Sequence, residues 1–184
     1  ASDVYKRQMH TSPTLLRIKC AGLLSLSMDE FDVEAHLEFF NRRAVSRGLK
    51  IKQLCCCKNR ALILLYSEKL MEKRLSDCTA KQLLAGYGYG ENLSFDECLD
   101  RLSERICEHG DFPHEIGVFL GYPFEDVKGF IENNGGNFKL CGCWKVYGNV
   151  EAAERTFANY GRCRKFLCNK LNEGIDIYQA LRIS

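Results

Sequence analysis

The stretch LKIKQLCCCKNRALILLYS, residues 49–67, constrains the fold of this chain more than any other. Apolar residues and lysines alternate over residues 49–52, as they do in a strand that buries one face. A turn around Lys58 and Asn59 leads into ALILLY, an apolar run typical of a strand that is covered on both faces. We therefore predict a β-hairpin over about residues 49–66 whose second strand is central in a sheet.

Short polar motifs predict three helix starts, and two glycines predict helix ends. SMDE, residues 27–30, fits a capping box with Ser27 at the N-cap of an amphipathic helix that Gly48 ends. SFDE, residues 94–97, is a second capping box. Asn149 is the predicted N-cap of a long helix that Gly174 ends.

A third strand is predicted over about residues 138–147, because apolar side chains such as Trp144 and Val146 alternate there with Lys139 and Lys145. Together these elements predict an α+β fold. A small, mostly antiparallel sheet, made of the hairpin and this strand, is packed with several α-helices. One part of the helical layer, about residues 114–132, is predicted to form a helix-turn-helix-like corner.

Length and composition indicate the class of protein. A chain of 184 residues can bury roughly two-thirds of its unfolded surface, and we expect one globular domain over residues 9–184. The opening ASDVYKRQ, residues 1–8, resembles translated adaptor sequence at the ends of metagenomic genes, and we expect it to be non-native. No apolar run approaches the roughly 20 residues that span a bilayer, so we expect no membrane insertion. Eleven cysteines without a signal peptide predict a reducing cytoplasm rather than a disulfide scaffold.

The corner could read DNA or serve only as structure. Gly117 is small where two helices would cross, Gly121 falls in the turn, and Pro123 suits the first turn of the second helix. The residues expected on the exposed face of that helix are Glu125, Asp126, Lys128 and Glu132. This net negative face, in a chain of formal charge +2, disfavours nucleic acid. A DNA-associated regulator using residues 113–132 stays an alternative to a structural corner or a protein contact.

Metal binding is a further possibility. His109 and His114 with Cys141 and Cys143 offer ligands that suit zinc or iron, although histidines five residues apart do not share one face of a regular helix. Local hydrogen bonds at a helix N-terminus are the alternative for His114. A cluster of Cys55 and Cys57 with Cys141 and Cys143 is disfavoured, because strand alternation turns the two pairs to opposite faces unless a bulge intervenes.

Enzymatic activity is a third alternative. A thiol- or histidine-dependent enzyme would draw on His109, Asp111, His114 or Glu115, but no nucleophile elbow or cysteine-protease signature is present. The tract GYGYGEN lacks the lysine and the strand-to-helix setting of a phosphate-binding loop. Its glycines indicate an ordinary loop.

Three motifs resemble a known family. HTSPTL near the start, HEIGVFLGYPFEDVKGFI in the corner and GCWKVYG after it are similar to the bacterial family known as domain of unknown function 3793, over residues 9–184. The resemblance implies a cytoplasmic protein of Gram-positive anaerobes with a link to iron or redox physiology, and no established reaction. Because members extend upstream of the first motif, we expect the native chain to begin before it.

The same motifs supply candidate ligand-binding residues. They combine imidazole, carboxylate, ammonium and amphipathic aromatic groups, which often line selective pockets. The candidates are His10, His114, Glu115, Tyr122, Trp144, Lys145 and Tyr147. The leading hypothesis is a domain that binds a small ligand, a metal or a protein partner; the alternative is that Trp144 and the glycines only lock the corner onto the sheet.

Overall fold

The computed structural model describes residues 9–109 and 112–183, with His109 described by its backbone alone. Two compact units emerge from its contacts, Ala1–Met71 with Tyr160–Ser184, and Glu72–Asn159. The described residues form nine α-helices and five strands. The helices are α1 (Ser12–Leu15), α2 (Val33–Ala44), α3 (Glu68–Leu75), α4 (Cys78–Ala85), α5 (Phe95–His109), α6 (Ile116–Phe119), α7 (Phe124–Glu132), α8 (Val150–Asn172) and α9 (Ile177–Ala180). The strands are β1 (Ala21–Ser27), β2 (Leu49–Cys57), β3 (Arg60–Ser67), β4 (Leu140–Cys141) and β5 (Lys145–Val146).

The predicted hairpin is confirmed in the first unit. Strands β2 and β3 pair antiparallel, and the turn residues Lys58 and Asn59 both have positive φ, 47° and 60°. Two consecutive positive φ angles are typical of the type I′ turn, whose twist matches that of the strands it joins. Strand β3 is central, in the order β1-β3-β2, and residues 63–65 of its apolar run are fully buried.

The prediction that residues 138–147 form the third strand of the sheet is wrong. The third member of the sheet is β1, which pairs antiparallel with β3 from Ala21 opposite Tyr66 to Ser27 opposite Arg60. Residues 138–147 form instead the two short strands β4 and β5, which pair with each other. The physical reason is a three-residue loop, Gly142–Trp144, closed by a hydrogen bond from Gly142 N to Trp144 O of 3.0 Å, which reverses the chain inside the alternating pattern.

The predicted cap of α2 is also wrong, whereas its end is confirmed. Ser27 is the last residue of β1, and Asp32 caps the helix by accepting a hydrogen bond from Ala35 N at 3.0 Å. Residues 21–27 pair with the apolar strand β3 and so belong to the sheet. The helix therefore starts later than the SMDE motif predicts. A 3₁₀ turn, Val45–Arg47, extends α2 to Gly48, whose φ of 63° is the left-handed conformation of a helix stop.

The core of the first unit lies on one face of its sheet. Strand residues such as Leu24, Ile51 and Ile63 pack with Phe40 of α2 and with Leu167 and Leu171 of α8. Burial of this kind contributes about 25 cal/mol for each Å² of apolar surface removed from water. It is the main stabilisation available to a sheet with three strands.

The second unit contains the helical corner. The capping box at the start of α5 is confirmed, because Ser94 N donates to Glu97 Oε2 at 2.8 Å and Glu97 N donates to Ser94 Oγ at 3.3 Å. Helices α6 and α7 are joined by a turn in which Gly121 has a φ of 75°. A Cβ on Gly117 would lie 2.9 Å from Val127 Cγ2, so the predicted small residue at the helix crossing is confirmed. The predicted cap of α8 is confirmed as well, since Ala152 N donates to Asn149 Oδ1 at 2.9 Å.

Candidate functional site

A buried carboxylate joins helix α7 to the β4–β5 hairpin. Asp126 is only 3% exposed, although the sequence pattern placed it on an exposed helix face. Its Oδ2 accepts a hydrogen bond from the indole Nε1 of Trp144 at 2.7 Å. Its Oδ1 accepts from the backbone N–H groups of Tyr147 and Gly148, at 2.7 and 2.8 Å. The hairpin covers this side of α7 and supplies the donors, which is why an acidic residue is stable there.

Two glycines allow the hairpin to lie this close to the helix. A Cβ on Gly129 would be 2.4 Å from Cβ of Tyr147, and one on Gly148 would be 2.0 Å from Cδ of Glu125. At Gly129 the conflict is with the Cβ of Tyr147, so only glycine fits there, whereas at Gly148 the exposed end of the Glu125 side chain would have to move. Glu125 in turn accepts a hydrogen bond from Asn149 N at 3.2 Å. The segment Tyr147–Asn149 is therefore held along its length on the first turns of α7.

Aromatic rings form one wall of this junction. Trp144 stacks on Tyr122, with ring centroids 5.1 Å apart and an interplanar angle of 26°, and it meets Phe157 edge-on at 4.6 Å. The Tyr122 hydroxyl donates to the carbonyl of Cys143 at 3.5 Å. Burial raises the pKa of Tyr122 to about 12, and the nearby Cys143 side chain adds to the shift. Such ring pairs contribute roughly 0.5–1.5 kcal/mol beyond the area they bury.

A cavity of about 210 Å³ lies at this corner, within the second unit. Its walls are mostly apolar and include the stacked pair Tyr122 and Trp144. Lys145, Asp126 and His114 are its charged or titratable lining residues. The other lining residues are Phe112, Pro113, Ile116, Gly117, Val127 and Phe130.

Two polar side chains converge on the ring of Phe130 in this cavity. The imidazole of His114 meets that ring edge-on, with centroids 5.3 Å apart, and His114 itself is exposed. The ammonium of Lys145 lies 5.7 Å from the centre of the same ring and 5.0 Å from that of Phe138. Its Nζ also donates a hydrogen bond of 2.6 Å to Gly135 O. A cation and a titratable imidazole thus share one part of an otherwise apolar cavity.

Glu115, another predicted binding residue, does not line this cavity. Its side chain is fully buried, accepts a hydrogen bond from Tyr89 at 3.3 Å and is paired with the guanidinium of Arg105. Burial raises the pKa of Tyr89, and the Glu115 carboxylate raises it further. The guanidinium also lies 5.0 Å from the centre of the Tyr87 ring. This cluster positions the start of α6.

The last two predicted residues lie elsewhere. The ring of Tyr147 packs on Gly129, and its hydroxyl is buried with no hydrogen-bond partner among the described residues. His10 belongs to the first unit, where its Nε2 lies 2.6 Å from Leu23 O on the outer edge of β1. The structure therefore brings together four of the seven predicted residues, His114, Tyr122, Trp144 and Lys145.

Comparison with known proteins assigns the chain to a family. A sequence model of the family described as protein of unknown function, DUF3793, matches residues 8–181. The chain belongs to the DUF3793 family. No curated protein and no solved structure matches it. The match includes every residue of the corner cavity and of the Asp126 junction.

The metal hypothesis finds no ligand set in the described part of this DUF3793 chain. No group of three or more histidine, cysteine, aspartate or glutamate side chains lies close enough to hold an ion among residues 9–109 and 112–183. The side chain of His109 and all of Asp111 lie outside the described residues. Cys141 and Cys143 are exposed on the β4–β5 hairpin.

Strand β2 contains a bulge of the kind that would change the face of Cys55 and Cys57. A β-bulge in β2 shifts the register between Gln53, which is opposite Ile63, and Cys55, which is opposite Leu62. One extra residue turns every later side chain to the other face of the strand. The strand alternation that the sequence shows is therefore interrupted before the cysteines.

The DUF3793 site contains residues that the sequence pattern did not single out. Phe112, Ile116, Val127 and Phe130 line the cavity, and Asp126 organises its wall. The sequence contains one indication of a residue such as Asp126, because the indole N–H of a buried tryptophan needs a hydrogen-bond acceptor. The residues next to Trp144 in the sequence do not indicate which acidic side chain is that acceptor.

A second cavity of about 210 Å³ lies among α3, α4 and α5. Leu84, Tyr89 and Cys98 are among its lining residues, with Glu72, Lys81 and Glu91 as its charged ones. Burial raises the pKa of the Cys98 thiol. None of the predicted binding residues lines it.

No helix of the DUF3793 chain in residues 9–109 and 112–183 combines the length and the apolar character needed to cross a bilayer.

Proposed function

We propose that this DUF3793 chain binds a small, mostly apolar molecule in the cavity of the α6–α7 corner. The observation that carries the proposal is the cavity itself, whose lining combines aromatic and aliphatic side chains with the polar groups of His114 and Lys145. Concave, largely apolar sites with few polar groups are the usual form of a small-molecule site. Four of the predicted ligand-binding residues line it, which adds independent support from the sequence.

The rigidity of one wall supports binding as well. Trp144 is held by Asp126 from one side and by the rings of Tyr122 and Phe157 from others. A wall that is already ordered loses little conformational entropy when a ligand arrives. The volume of about 210 Å³ is below the roughly 300–1,000 Å³ typical of drug-sized ligands, so the occupant is a fragment-sized molecule or one arm of a larger one.

The two alternative functions draw less support. Helix α7 exposes Glu125, Lys128 and Glu132, a face of net negative charge that repels a phosphate backbone. For a thiol enzyme, a nucleophile of lowered pKa is required, whereas burial raises the pKa of Cys98 and of Cys163. A bacterial origin, a cytoplasmic location and a link to iron or redox physiology stay predictions.

The single tryptophan of the chain allows a direct test. Trp144 gives one indole N–H resonance, and that proton lies at the wall of the cavity. We expect phenylacetamide or benzyl alcohol, added at millimolar concentration to the ¹⁵N-labelled chain, to shift this resonance and those of Ile116 and Val127 in a saturable manner. Binding that leaves these resonances unmoved would place the ligand elsewhere and contradict the proposal.

A matched pair of variants separates cavity filling from general perturbation. Ile116 lines the cavity and Ile131 does not, while both are half-buried isoleucines of the corner. Ile116→Phe should fill the cavity and weaken binding of phenylacetamide at least about tenfold, a loss of roughly 1.4 kcal/mol. Ile131→Phe should leave the affinity unchanged, and equal losses in both variants would count against the site.

A further inference from the structure

We infer that the ligand of the corner cavity is an aryl carboxylate whose acid group is bound by Lys145 and whose ring lies against Trp144 and Tyr122. This inference rests on the proposed function and names the chemical class of its ligand.

Lys145 brings a positive charge to the cavity. Among the described residues, no carboxylate lies within ion-pair distance of its ammonium group; its contacts are the carbonyl of Gly135 and the rings of Phe130 and Phe138. An ammonium group has three N–H donors, and the Gly135 carbonyl occupies one of them. The carbonyl and the two rings hold the cation at the cavity without neutralising it. An anionic group on the ligand would supply both the missing charge and an acceptor.

The other charges at the cavity restrict where an acid group of the ligand can lie. Asp126 also lines it, but both of its oxygens are directed at N–H groups of Trp144, Tyr147 and Gly148. Its negative charge disfavours a second carboxylate beside it. The acid group of a ligand is therefore expected near the Phe130 ring, where the Lys145 ammonium and the exposed imidazole of His114 both lie.

The apolar walls of the cavity suit an aromatic group as the remainder of the ligand. Tyr122 and Trp144 are stacked on each other, and Val127 and Ile116 complete an apolar surface next to them. Flat aromatic groups gain from offset or edge-to-face contact with such rings in addition to the burial of apolar area. The volume of about 210 Å³ suits a single ring with a short acidic side chain, which is why phenylacetate is the first probe.

The experiment compares three probes of the same shape. Phenylacetate, phenylacetamide and phenethylamine differ in carrying an anionic, a neutral and a cationic group. We expect phenylacetate to bind about tenfold more tightly than phenylacetamide, because the carboxylate carries a charge opposite to that of the Lys145 ammonium and the amide carries none. Phenethylamine should bind least. The affinities are read from the Trp144 indole resonance at low ionic strength, where the charge contribution is largest.

A variant pair assigns the preference to one side chain. Lys145→Met retains most of the aliphatic stem and should abolish the preference, so that phenylacetate binds no more tightly than phenylacetamide. Lys139→Met is the control, since Lys139 is on the same hairpin and donates to a carbonyl, that of Gly148, at 3.0 Å, but does not line the cavity. An unchanged far-ultraviolet circular dichroism spectrum verifies that both variants fold.

The outcomes separate the two proposals. Tighter binding of phenylacetate that is lost in Lys145→Met and kept in Lys139→Met supports both. Equal or tighter binding of phenylacetamide to the unaltered chain overturns the carboxylate assignment and leaves the proposed function intact. A preference for phenylacetate that persists in Lys145→Met also overturns the assignment. No perturbation of the cavity resonances by any of the three probes overturns both proposals.

Discussion

Asp126 shows how one side chain determines the local structure around it. Its carboxylate accepts three N–H groups that would otherwise be buried without an acceptor, at distances of 2.7 to 2.8 Å. Each buried donor left without a partner costs roughly 1–3 kcal/mol. The residue therefore stabilises the hairpin, the segment that follows it and the wall of the cavity together.

Removing this carboxylate should destabilise the chain strongly. Asp126→Ala leaves the three donors without an acceptor, and we expect it to lower the free energy of unfolding by about 3–5 kcal/mol in urea denaturation and to shift Trp144 fluorescence to the red. Asp126→Asn should lose less, because its amide oxygen still accepts from the backbone. Asp96→Ala, at an exposed carboxylate in the first turn of α5, should cost less than about 1 kcal/mol. Equal stability of Asp126→Ala and the unaltered chain would refute this role.

Half-buried Tyr122 and buried Tyr178 make the stability sensitive to alkaline pH. Burial raises the pKa of Tyr122 and of Tyr178 to about 12, although the nearby Arg43 guanidinium lowers that of Tyr178 in part. The unfolded value is about 10. Because the folded chain holds these protons more tightly, their contribution is complete below pH 10 and is lost as the pH rises through 12.

A spectrophotometric titration of the phenolate band tests this shift. We expect the eight tyrosines to titrate in at least two groups, the later one near pH 12. Tyr178→Phe should remove one tyrosine from the later group. The same variant should keep or slightly raise stability at neutral pH, since the Tyr178 hydroxyl is buried with no hydrogen-bond partner in the described part of the chain. A single titration near pH 10 in the folded chain would contradict the burial of both rings.

At the scale of elements, the three-stranded sheet protects both of its edges. His10 Nε2 lies 2.6 Å from Leu23 O on the edge strand β1. On the edge strand β2, the amide of Asn41 donates to Ile51 O at 2.9 Å and accepts from Ile51 N at 2.8 Å, as a neighbouring strand would. Covered edges do not pair with other chains. This gives the His10 motif a structural role in the first unit.

The fit of α7 against the hairpin predicts opposite effects at two helix glycines. Alanine is favoured over glycine by roughly 0.8–1.0 kcal/mol inside a helix. A Cβ on Gly161, within α8, would lie 3.8 Å from Arg164 Nη2, an ordinary contact, so Gly161→Ala should stabilise the chain by up to about 1 kcal/mol. At Gly129 the same substitution places Cβ 2.4 Å from Tyr147, and we expect a loss of about 1–3 kcal/mol despite the helix preference. Thermal unfolding of the two variants measures whether each substitution raises or lowers stability. A stabilising Gly129→Ala would show that the hairpin does not pack this closely.

At the scale of the whole molecule, the chain passes between its two compact units inside helices. Residues 71 and 72 are consecutive within α3, and residues 159 and 160 within α8. Unfolding one unit would interrupt both helices and leave their ends without hydrogen bonds. We therefore expect a single cooperative unfolding transition. Measuring this transition tests the prediction of one domain over residues 9–184.

Two probes of urea unfolding test this cooperativity. Fluorescence of Trp144 reports on the second unit, and far-ultraviolet circular dichroism reports on the helices of both. Coincident transitions with one midpoint are expected for a two-state domain. Separate midpoints would show that the units unfold independently and that the chain is better described as two domains.

Much of the local structure could be predicted from short patterns. The β2–β3 hairpin follows from the alternation and the apolar run, and the helix stops at Gly48 and Gly174 follow from the left-handed backbone that glycine adopts at no steric cost. The Ser94 capping box depends on residues three positions apart. In each case the atoms that interact are neighbours in the chain.

The remaining features depend on partners distant in sequence. Strand β1 is in the sheet because β3 has a free edge to pair with, and Asp126 is buried because the hairpin at residues 140–146 covers α7. The cavity exists where Phe112, Tyr122 and Trp144 meet, although they lie on three different segments. The sequence by itself determined the α+β class, the central hairpin, the helix ends and the family. Only the tertiary structure decided which polar groups are buried and which residues share a pocket, because burial and hydrogen-bond pairing across long separations are properties of the packed chain.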